Sequence, residues 1–202
     1  MEIADQRTAH TCLLPPASTE QLEQVLARHD IEVAAWGKGA AKRVDDLLAE
    51  LRGGESRLHM DQEGRLFRCV AVIGVDVFFI DPHDPRQGML RLVESEQIFK
   101  AGGRRRRRLR TSLGEKQLPG ESAEAAAKRA IEEELGLPAS KLILRKTGAE
   151  VVESESESYP GLTSTRHLTF FECALPLPLF DPSGYEERQD QKTITFAWKA
   201  CA

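Results

Sequence analysis

Apolar residues recur along this chain at two spacings, one helical and one extended, and the change falls near residue 54. In residues 18–30, Leu22, Val25 and Leu26 lie on one face of a helix that Ser18 can N-cap. Residues 40–54 repeat the helical spacing and end in two glycines. The apolar stripe of this second helix consists of Val44, Leu47, Leu48 and Leu51. We therefore predict an irregular arm over residues 1–17, followed by two short amphipathic helices.

Beyond residue 54 the pattern is that of β-strands. Residues 65–80 are rich in Val, Ile and Phe, and they predict one long strand or two strands divided near Gly74. Residues 56–60 predict a shorter strand, and residues 89–95 predict the second strand of a hairpin closed by the turn 81–88. Further strands are predicted at 141–152, 165–175 and 192–200, with loops at 153–161 and 176–190. With a strong helix after the middle of the chain, these strands indicate an α/β fold with a mixed sheet.

Composition and charge are those of an ordinary soluble globular protein. The 202 residues, 41% hydrophobic and 30% charged, suit one domain of moderate size or a domain with an extension. A net charge of −4 provides no general attraction to nucleic acid or anionic membranes, and no apolar run approaches the roughly 18 residues of a membrane span. The first ten residues lack an apolar signal segment, and the four cysteines are scattered. We predict an intracellular, cytoplasmic location, with organellar and nuclear locations left open.

The most informative stretch is residues 114–137, GEKQLPGESAEAAAKRAIEEELGL. A turn with two glycines and a proline leads into a helix that ends at Gly136. On this helix, positions 130, 133 and 134 share one face within about one turn. Carboxylates concentrated on such a face suit a hard cation such as Mg²⁺ or Mn²⁺. The alternative is a solvated helix face on which basic residues of the same helix pair with the glutamates.

This stretch resembles the Nudix box, Gly-x5-Glu-x7-Arg-Glu-U-x-Glu-Glu-x-Gly-U, in which U is a bulky aliphatic residue. The positions that match at the family spacing are Glu121, Arg129, Ile131, Glu133, Glu134, Gly136 and Leu137. Two positions depart from the pattern: Glu115 stands at the first glycine, and Ala130 stands at the glutamate after the arginine. The resemblance implies a Nudix-type α/β/α sandwich over residues 55–202, preceded by an N-terminal arm and helical extension over residues 1–54.

The resemblance also implies a site. Its metal ligands would be the carbonyl of Gly114 and the carboxylates of Glu121, Glu133 and Glu134, with Mg²⁺ or Mn²⁺ as the metal. The implied catalytic residues are the same three glutamates and Arg129, which orients them. A metal held in this way bridges pyrophosphate oxygens and positions water for attack at phosphorus. The implied ligand is a nucleotide-derived small molecule.

Ala130 changes what the resemblance implies about activity. Alanine cannot supply a carboxylate, and the neighbouring Glu132 points elsewhere because each residue of a helix is rotated by about 100°. We therefore predict a weakly active, divalent-cation-dependent hydrolase of a pyrophosphate bond in a nucleoside diphosphate derivative. The alternative is a catalytically inactive Nudix-like domain that binds a nucleotide or a protein, or serves as a scaffold subunit of a larger assembly.

Five consecutive arginines, residues 104–108, precede the box. Because alternate side chains of a strand project to opposite faces, Arg104, Arg106 and Arg108 would share one face. We predict that these three bind substrate phosphate, for which guanidinium groups are suited. The alternatives are a solvated or partner-facing strand and a nuclear-localisation or nucleic-acid patch. RNA is the less favoured partner because the net charge is negative.

Nudix enzymes usually take a further acid or base from a loop beyond the box. The candidates in this chain are Glu150, Glu153, Glu155, Glu157, Glu186 and Glu187. Tyr159 and Tyr185 are expected either to pack or to stack on a base, with packing favoured. His83 and His167 lack metal-type spacing, which favours surface or core roles for both.

Overall fold

The structure, a computed structural model, describes residues 10–39, 41–84, 86, 88–106 and 109–201. Its helices are α1 (Thr19–Arg28), α2 (Val44–Gly53) and α3 (Ala123–Leu135). The strands are β1 (Thr11–Cys12), β2 (Arg57–Met60), β3 (Leu66–Ile80), β4 (Met89–Phe99), β5 (Arg104–Arg105), β6 (Leu113–Lys116), β7 (Arg145–Glu155), β8 (Thr163–Ala174), β9 (Tyr185–Arg188) and β10 (Lys192–Ala200). The predicted α/β class is confirmed. No helix in the described part of the chain is long and apolar enough to cross a membrane.

The described residues form two compact units, one made of 10–71 with 151–167 and the other of 72–150 with 168–201. In the first unit, α1 begins as predicted, because the Ser18 hydroxyl accepts a hydrogen bond from the Gln21 amide at 3.2 Å. Helix α2 begins at Val44, four residues later than predicted. The reason is that the Arg43 amide donates to the Asp46 carboxylate at 2.7 Å, which sets the N-cap at Arg43. The domain boundary after residue 54 stays a prediction.

The core of the first unit joins the two helices to residues far along the chain. Its buried members are Leu22, Leu26, Ile31, Trp36, Val44, Leu47, Leu48, Leu51, Leu58, Leu66, Tyr159 and Leu162. Trp36 donates its indole N–H to the Pro160 carbonyl at 2.9 Å, and its ring lies 5.1 Å from that of Tyr159. Tyr159 is fully buried, so the packing role expected for it is confirmed. Strand β1, inside the predicted irregular arm, pairs antiparallel with β2.

A second buried feature of this unit is an ion-pair cluster around Glu50. The Glu50 carboxylate accepts from Arg68 Nη2 at 2.6 Å and from Lys42 Nζ at 2.7 Å. The Arg68 guanidinium lies over the Tyr159 ring, 5.3 Å from its centroid. The side chains of Glu50 and Arg68 are only 6% and 8% exposed, so this cluster lies in the interior of the first unit.

The long apolar segment is a single strand, β3, and Gly74 does not divide it. A Cβ at Gly74 would lie 2.8 Å from Thr111 Cγ2 and 3.0 Å from Phe170 Cδ1, which explains the glycine. The predicted hairpin is confirmed by the antiparallel pairing of Ile80 with Met89. Beyond β4, the antiparallel order continues through β10 to β9.

Three predicted boundaries in the second half of the chain are wrong. Strand β7 begins at Arg145 rather than at residue 141, because Ala139–Lys141 form a short 3₁₀ helix after α3. The same strand continues to Glu155, into the predicted loop 153–161. The predicted loop 176–190 contains strand β9, which pairs with β10. Strand β9 is only four residues long, and three of its residues are charged, so Tyr185 is its one residue of a type enriched in strands.

Candidate active site

The box residues lie on strand β6, a turn and helix α3; the turn and the helix were predicted, whereas the strand at Leu113–Lys116 includes Gly114, which was assigned to the turn. Strand β6 pairs antiparallel with β3, with Glu115 opposite Ile73 and Gly114 opposite Gly74. Gly120 has a φ of 75° in the turn, and α3 ends at Gly136, whose φ is 66° and whose amide donates to the Glu132 carbonyl. The predicted helix and its C-terminal glycine are confirmed.

Arg129 is the centre of the candidate site. Its Nε and Nη2 donate to the two carboxylate oxygens of Glu121 at 3.0 and 3.1 Å, and Nη2 also donates to the Lys116 carbonyl at 2.8 Å. Nη1 donates to Glu133 at 3.1 Å and lies 3.9 Å from the nearer carboxylate oxygen of Glu115. This one guanidinium therefore contacts the strand, the turn and the helix of the box.

Two further hydrogen bonds to Glu121, both from residues of the turn, stabilise the turn. The Leu118 amide donates to Glu121 Oε2 at 3.0 Å, and the side-chain amide of Gln117 donates to the Glu121 carbonyl. Hydrogen bonds from Arg129, above all, hold the pKa of Glu121 below its usual range. The paired carboxylates raise the pKa of Arg129, which keeps its charge at every working pH.

Glu115 takes the first glycine position of the box without backbone strain. Among the described non-glycine residues, only Asp30 has a positive φ, so the backbone at position 115 accommodates a side chain. Its carboxylate accepts from the Lys116 amide at 2.7 Å. Burial raises the pKa of Glu115, and the negative charge of Glu133 adds to this rise.

The remaining box positions differ in burial. Ala130 is 1% exposed, whereas Glu133 is 56% exposed and Glu132 is also exposed. Glu134 is half-buried. Among the residues that the structure describes, no three carboxylate, imidazole or thiol side chains converge as ligands for a metal ion. The ligand set that the resemblance implies for Mg²⁺ or Mn²⁺ is therefore incomplete in this arrangement.

Two arginines of the run, Arg104 and Arg106, lie beside the same carboxylate. Arg104 Nη1 lies 3.2 Å and Arg106 Nε 3.9 Å from the Glu96 carboxylate, and both side chains are largely exposed. Arg108 lies outside the described residues. Of the arginines in the run that the structure describes, Arg104 and Arg105 form strand β5, which pairs with the end of β4. Their predicted binding of phosphate stays a prediction.

One feature near the box was not predicted from the sequence. Asp76 accepts hydrogen bonds from Arg91 Nε at 2.8 Å and from the Ser112 amide at 3.1 Å. It also borders an open pocket of about 270 Å³. The pocket is lined by Asp76, Arg110, Thr111, Thr147, Gly148, Ala149, Glu150 and Phe170. The available signal was a single acidic residue within the otherwise apolar segment of β3.

Arg110 forms one wall of this pocket. Its guanidinium lies 4.4 Å from the centroid of the Phe170 ring and forms an ion pair with Glu150. Glu150, one of the candidate acids beyond the box, is therefore paired with an arginine. Residues 76 and 114 lie on the sheet face opposite Glu115, because partners directly across an antiparallel pair share a face. The pocket thus lies on the other side of β6 from the carboxylates around Arg129.

Two further candidates beyond the box have local partners. Glu155 accepts from the Gly161 amide at 2.9 Å, and Glu186 forms an ion pair with Arg188 at 3.0 Å. Tyr185 donates to the Leu179 carbonyl, and its ring lies 6.2 Å from that of Trp198. The packing role expected for Tyr185 is confirmed.

Comparison with known proteins finds no matching family model and no matching curated protein. Among solved structures, the chain resembles an Ap4A hydrolase of C. elegans, with 14% identity and a TM-score of 0.38 over 65% of this chain and 80% of that one. It also resembles the E. coli dihydroneopterin triphosphate pyrophosphohydrolase, with 18% identity and a TM-score of 0.37 over 63% and 78%. A third similar structure is RenU, a Nudix hydrolase of M. smegmatis, with 19% identity and a TM-score of 0.33 over 59% of this chain and 69% of that one.

Of these three structures, RenU is the one described as a Nudix hydrolase. At these identities and TM-scores, nothing about activity or substrate follows from the similarity. In the box itself, Arg129 is bound to Glu121 in the turn and to Glu133 on the helix.

Proposed function

We propose that this chain is a weakly active Nudix-type hydrolase that cleaves a pyrophosphate bond in a nucleoside diphosphate derivative and depends on Mg²⁺ or Mn²⁺. The observation that carries the proposal is the guanidinium of Arg129, which binds Glu121 through two nitrogens and Glu133 through the third. This is the orienting role that the resemblance implies for the arginine of the box. It holds two acidic residues, eight and four positions away, in a fixed geometry.

The incomplete carboxylate set supports the low activity. Position 130 carries a buried alanine, and the described residues contain no converging group of three metal-ligating side chains. Glu133 and Glu134 are the carboxylates left on the helix for a cation, together with Glu121 in the turn. The exposed Arg104 and Arg106 are the proposed contacts for substrate phosphate.

The same observations favour a second candidate, a Nudix-like domain that binds a nucleotide or a protein, or serves as a scaffold subunit, without turnover. Because Arg129 already pairs with both Glu121 and Glu133, these two carboxylates have a cationic partner without a bound metal ion. In that case the domain would bind nucleotides with little dependence on Mg²⁺ or Mn²⁺ and would not hydrolyse them.

The two candidates are separated by one assay. Purified protein is incubated with Mg²⁺ or Mn²⁺ and a panel of nucleotide sugars, dinucleotides, nucleoside triphosphates and capped RNA, and Mn²⁺ binding is measured by calorimetry. We expect slow hydrolysis of at least one compound, abolished by Glu134→Gln and unchanged by Glu132→Gln, a matched charge loss on the exposed side of the same helix. If the protein neither hydrolyses any compound nor binds Mn²⁺, the proposal that it is an enzyme is rejected.

A further inference from the structure

The open pocket bordered by Asp76 is lined by charged side chains that are already paired. Its ionisable lining residues are Asp76, Arg110 and Glu150. Arg110 forms an ion pair with Glu150, and Asp76 forms one with Arg91 at 2.7 Å. The lining therefore offers no unpaired cation to a phosphate group. An uncharged group is better suited to this pocket than an anion.

Arg110 provides a flat surface in the pocket. Its guanidinium lies 4.4 Å from the centroid of the Phe170 ring, and Nη1 donates to the Glu150 carboxylate. The ring beneath and the carboxylate at the edge together hold the plane of the guanidinium. The Arg110 side chain is nevertheless 66% exposed. Its face turned away from Phe170 is therefore available to a second planar group.

The backbone that carries Arg110 is fixed to two neighbouring strands. The Arg91 side chain of β4 donates to the Arg110 carbonyl, and Asp76 of β3 accepts from the Ser112 amide at 3.1 Å. The Ser112 hydroxyl donates in turn to the Leu92 carbonyl of β4. A binding surface supported in this way needs little ordering when a ligand arrives, which favours affinity.

The pocket also offers hydrogen-bonding groups and room for one ring system. The described hydrogen bonds and the ion pair of Asp76 all use Oδ1, which leaves Oδ2 to accept from an N–H group. Thr147 adds a hydroxyl, which both donates and accepts. The volume of about 270 Å³ is below the roughly 300–1,000 Å³ of sites that enclose a whole small molecule. The pocket thus fits a planar ring with N–H donors that is one part of a larger ligand.

Gly148 keeps this pocket open. Residues 148 and 150 project from the same face of β7, and on that face Glu150 meets Arg110. A Cβ at Gly148 would meet no atom within 4 Å, and the φ of this glycine is not in the left-handed region. A larger residue at position 148 would therefore fill the pocket without straining the backbone.

We propose that this pocket binds the nucleobase of the substrate, stacked on the outer face of the Arg110 guanidinium, with a base N–H group donating to Asp76. Bases stack on guanidinium planes as they do on aromatic rings, and every base has a face to offer. This inference rests on the proposed function for the identity of the ligand, a nucleoside diphosphate derivative. The pocket holds the part of that ligand that carries no charge.

The pocket lies next to the box along the same pair of strands. Asp76 follows Gly74 by two residues on β3, and Gly74 lies opposite Gly114 of the box. The rise of a strand separates these two positions by about 7 Å. Among the strands that the structure describes, β6 pairs with β3 alone, so no strand covers its other edge. A nucleotide whose base lies in the pocket can extend past that edge to the carboxylates of the box.

The first test is the binding of uncharged nucleosides, which requires neither metal nor turnover. Saturation-transfer NMR is recorded with adenosine, guanosine, cytidine and uridine. We expect at least one nucleoside to bind the wild type with little dependence on salt, and Gly148→Leu to abolish this binding. Lys146→Leu, on the same face of β7 but outside the pocket, should leave it unchanged. Binding of none of the four to the wild type, or equal binding to Gly148→Leu, would overturn the proposal.

The second test addresses stacking on Arg110. Arg110→Lys keeps the positive charge beside Glu150 but loses the plane, so we expect nucleoside affinity to fall roughly 10-fold or more. A phosphate contact would survive this change, because lysine binds phosphate as a point charge. Arg145→Lys is the matched control, since Arg145 is an exposed arginine of β7 paired with Glu172. Equal nucleoside affinity in Arg110→Lys and the wild type would reject the stacked arrangement.

Turnover separates failure of this inference from failure of the proposed function. In an active enzyme, Gly148→Leu should raise KM roughly 10-fold or more with little change in kcat, because the pocket is apart from the box. If the wild type hydrolyses nothing, the proposed function fails, and nucleoside binding alone decides whether the pocket binds a base. If the wild type is active but Gly148→Leu changes neither KM nor nucleoside binding, the proposed function stands and the nucleobase pocket is rejected.

Discussion

Two clusters of ion pairs between arginine and glutamate lie in different surroundings: one glutamate between two cations, and one arginine among three glutamates. In the first unit, Glu50 joins Arg68 and Lys42, and the side chains of Glu50 and Arg68 are almost fully buried. In the second unit, Arg129 gathers its glutamates around a guanidinium that is 22% exposed, and one partner, Glu133, is open to solvent. In the buried cluster, Glu50 and Arg68 have little water to replace a lost partner, whereas in the box Glu133 can be solvated if its ion pair breaks.

The difference indicates different roles. Burial makes a paired charge costly to separate and gives it no access to a ligand, so the Glu50 cluster is suited to fixing α2 against β3 of its own unit. Partial exposure leaves a charge available to an incoming group at a smaller cost in stability. The box cluster contains one carboxylate of each kind: Glu121 is largely shielded from solvent, and Glu133 is accessible to an incoming group.

The largest expected effect is at Glu50. Glu50→Gln leaves Arg68 without its carboxylate in the interior, and we expect the free energy of unfolding to fall by about 3–5 kcal/mol. Urea denaturation of the variant and the wild type measures this change in the free energy of unfolding. Glu63→Gln is the matched control, because the pair of Glu63 with Arg65 is exposed on both sides. A loss at Glu50 no larger than that at Glu63 would contradict the contrast between buried and exposed pairs.

A smaller effect is expected at the centre of the box. Arg129→Lys keeps the charge but cannot bind both oxygens of Glu121, Glu133 and a carbonyl at once, so we expect a loss of about 1.5–3 kcal/mol in unfolding free energy. Lys128→Gln is the control on the same helix, since its pair with Glu124 is exposed. Equal stability of the two variants would show that the geometry of the guanidinium is unimportant.

The smallest expected effect is in the pH dependence of stability. Arg129 lowers the pKa of folded Glu121, so the stability it contributes is complete above the unfolded value of 4.5 and is lost as the pH falls through the lower folded pKa. Burial raises the pKa of Glu115, so this residue has the opposite sign: its ionisation costs stability, and the cost disappears on acidification through its folded pKa.

Urea midpoints measured from about pH 6 to about pH 3 test both signs. Glu121→Gln should flatten the loss of stability at the acidic end, and Glu115→Gln should steepen it. A loss of stability that Glu121→Gln leaves unaltered would show that this carboxylate is not held by Arg129 in solution.

Local signals in the sequence account for most of what was predicted correctly. The spacing of Leu22 and Leu26 after Ser18 predicts α1, and Gly136 predicts the end of α3, because caps and apolar periodicity act within a few residues. The box spacing likewise places Glu121 and Arg129 eight residues apart, and they do form an ion pair. Errors occurred where local signals are weak, as in the short charged strand β9.

What the sequence determined by itself is the box: which residues it contains, the helix that carries them, and the loss of a carboxylate at position 130. The tertiary structure decided which groups those residues meet. Glu115 reaches Arg129 only because β6 pairs with β3 in one register and turns that side chain toward α3. Glu50 meets Arg68 only because a helix and a strand pack together. Pairings across the fold depend on register and packing, which no spacing along the chain encodes.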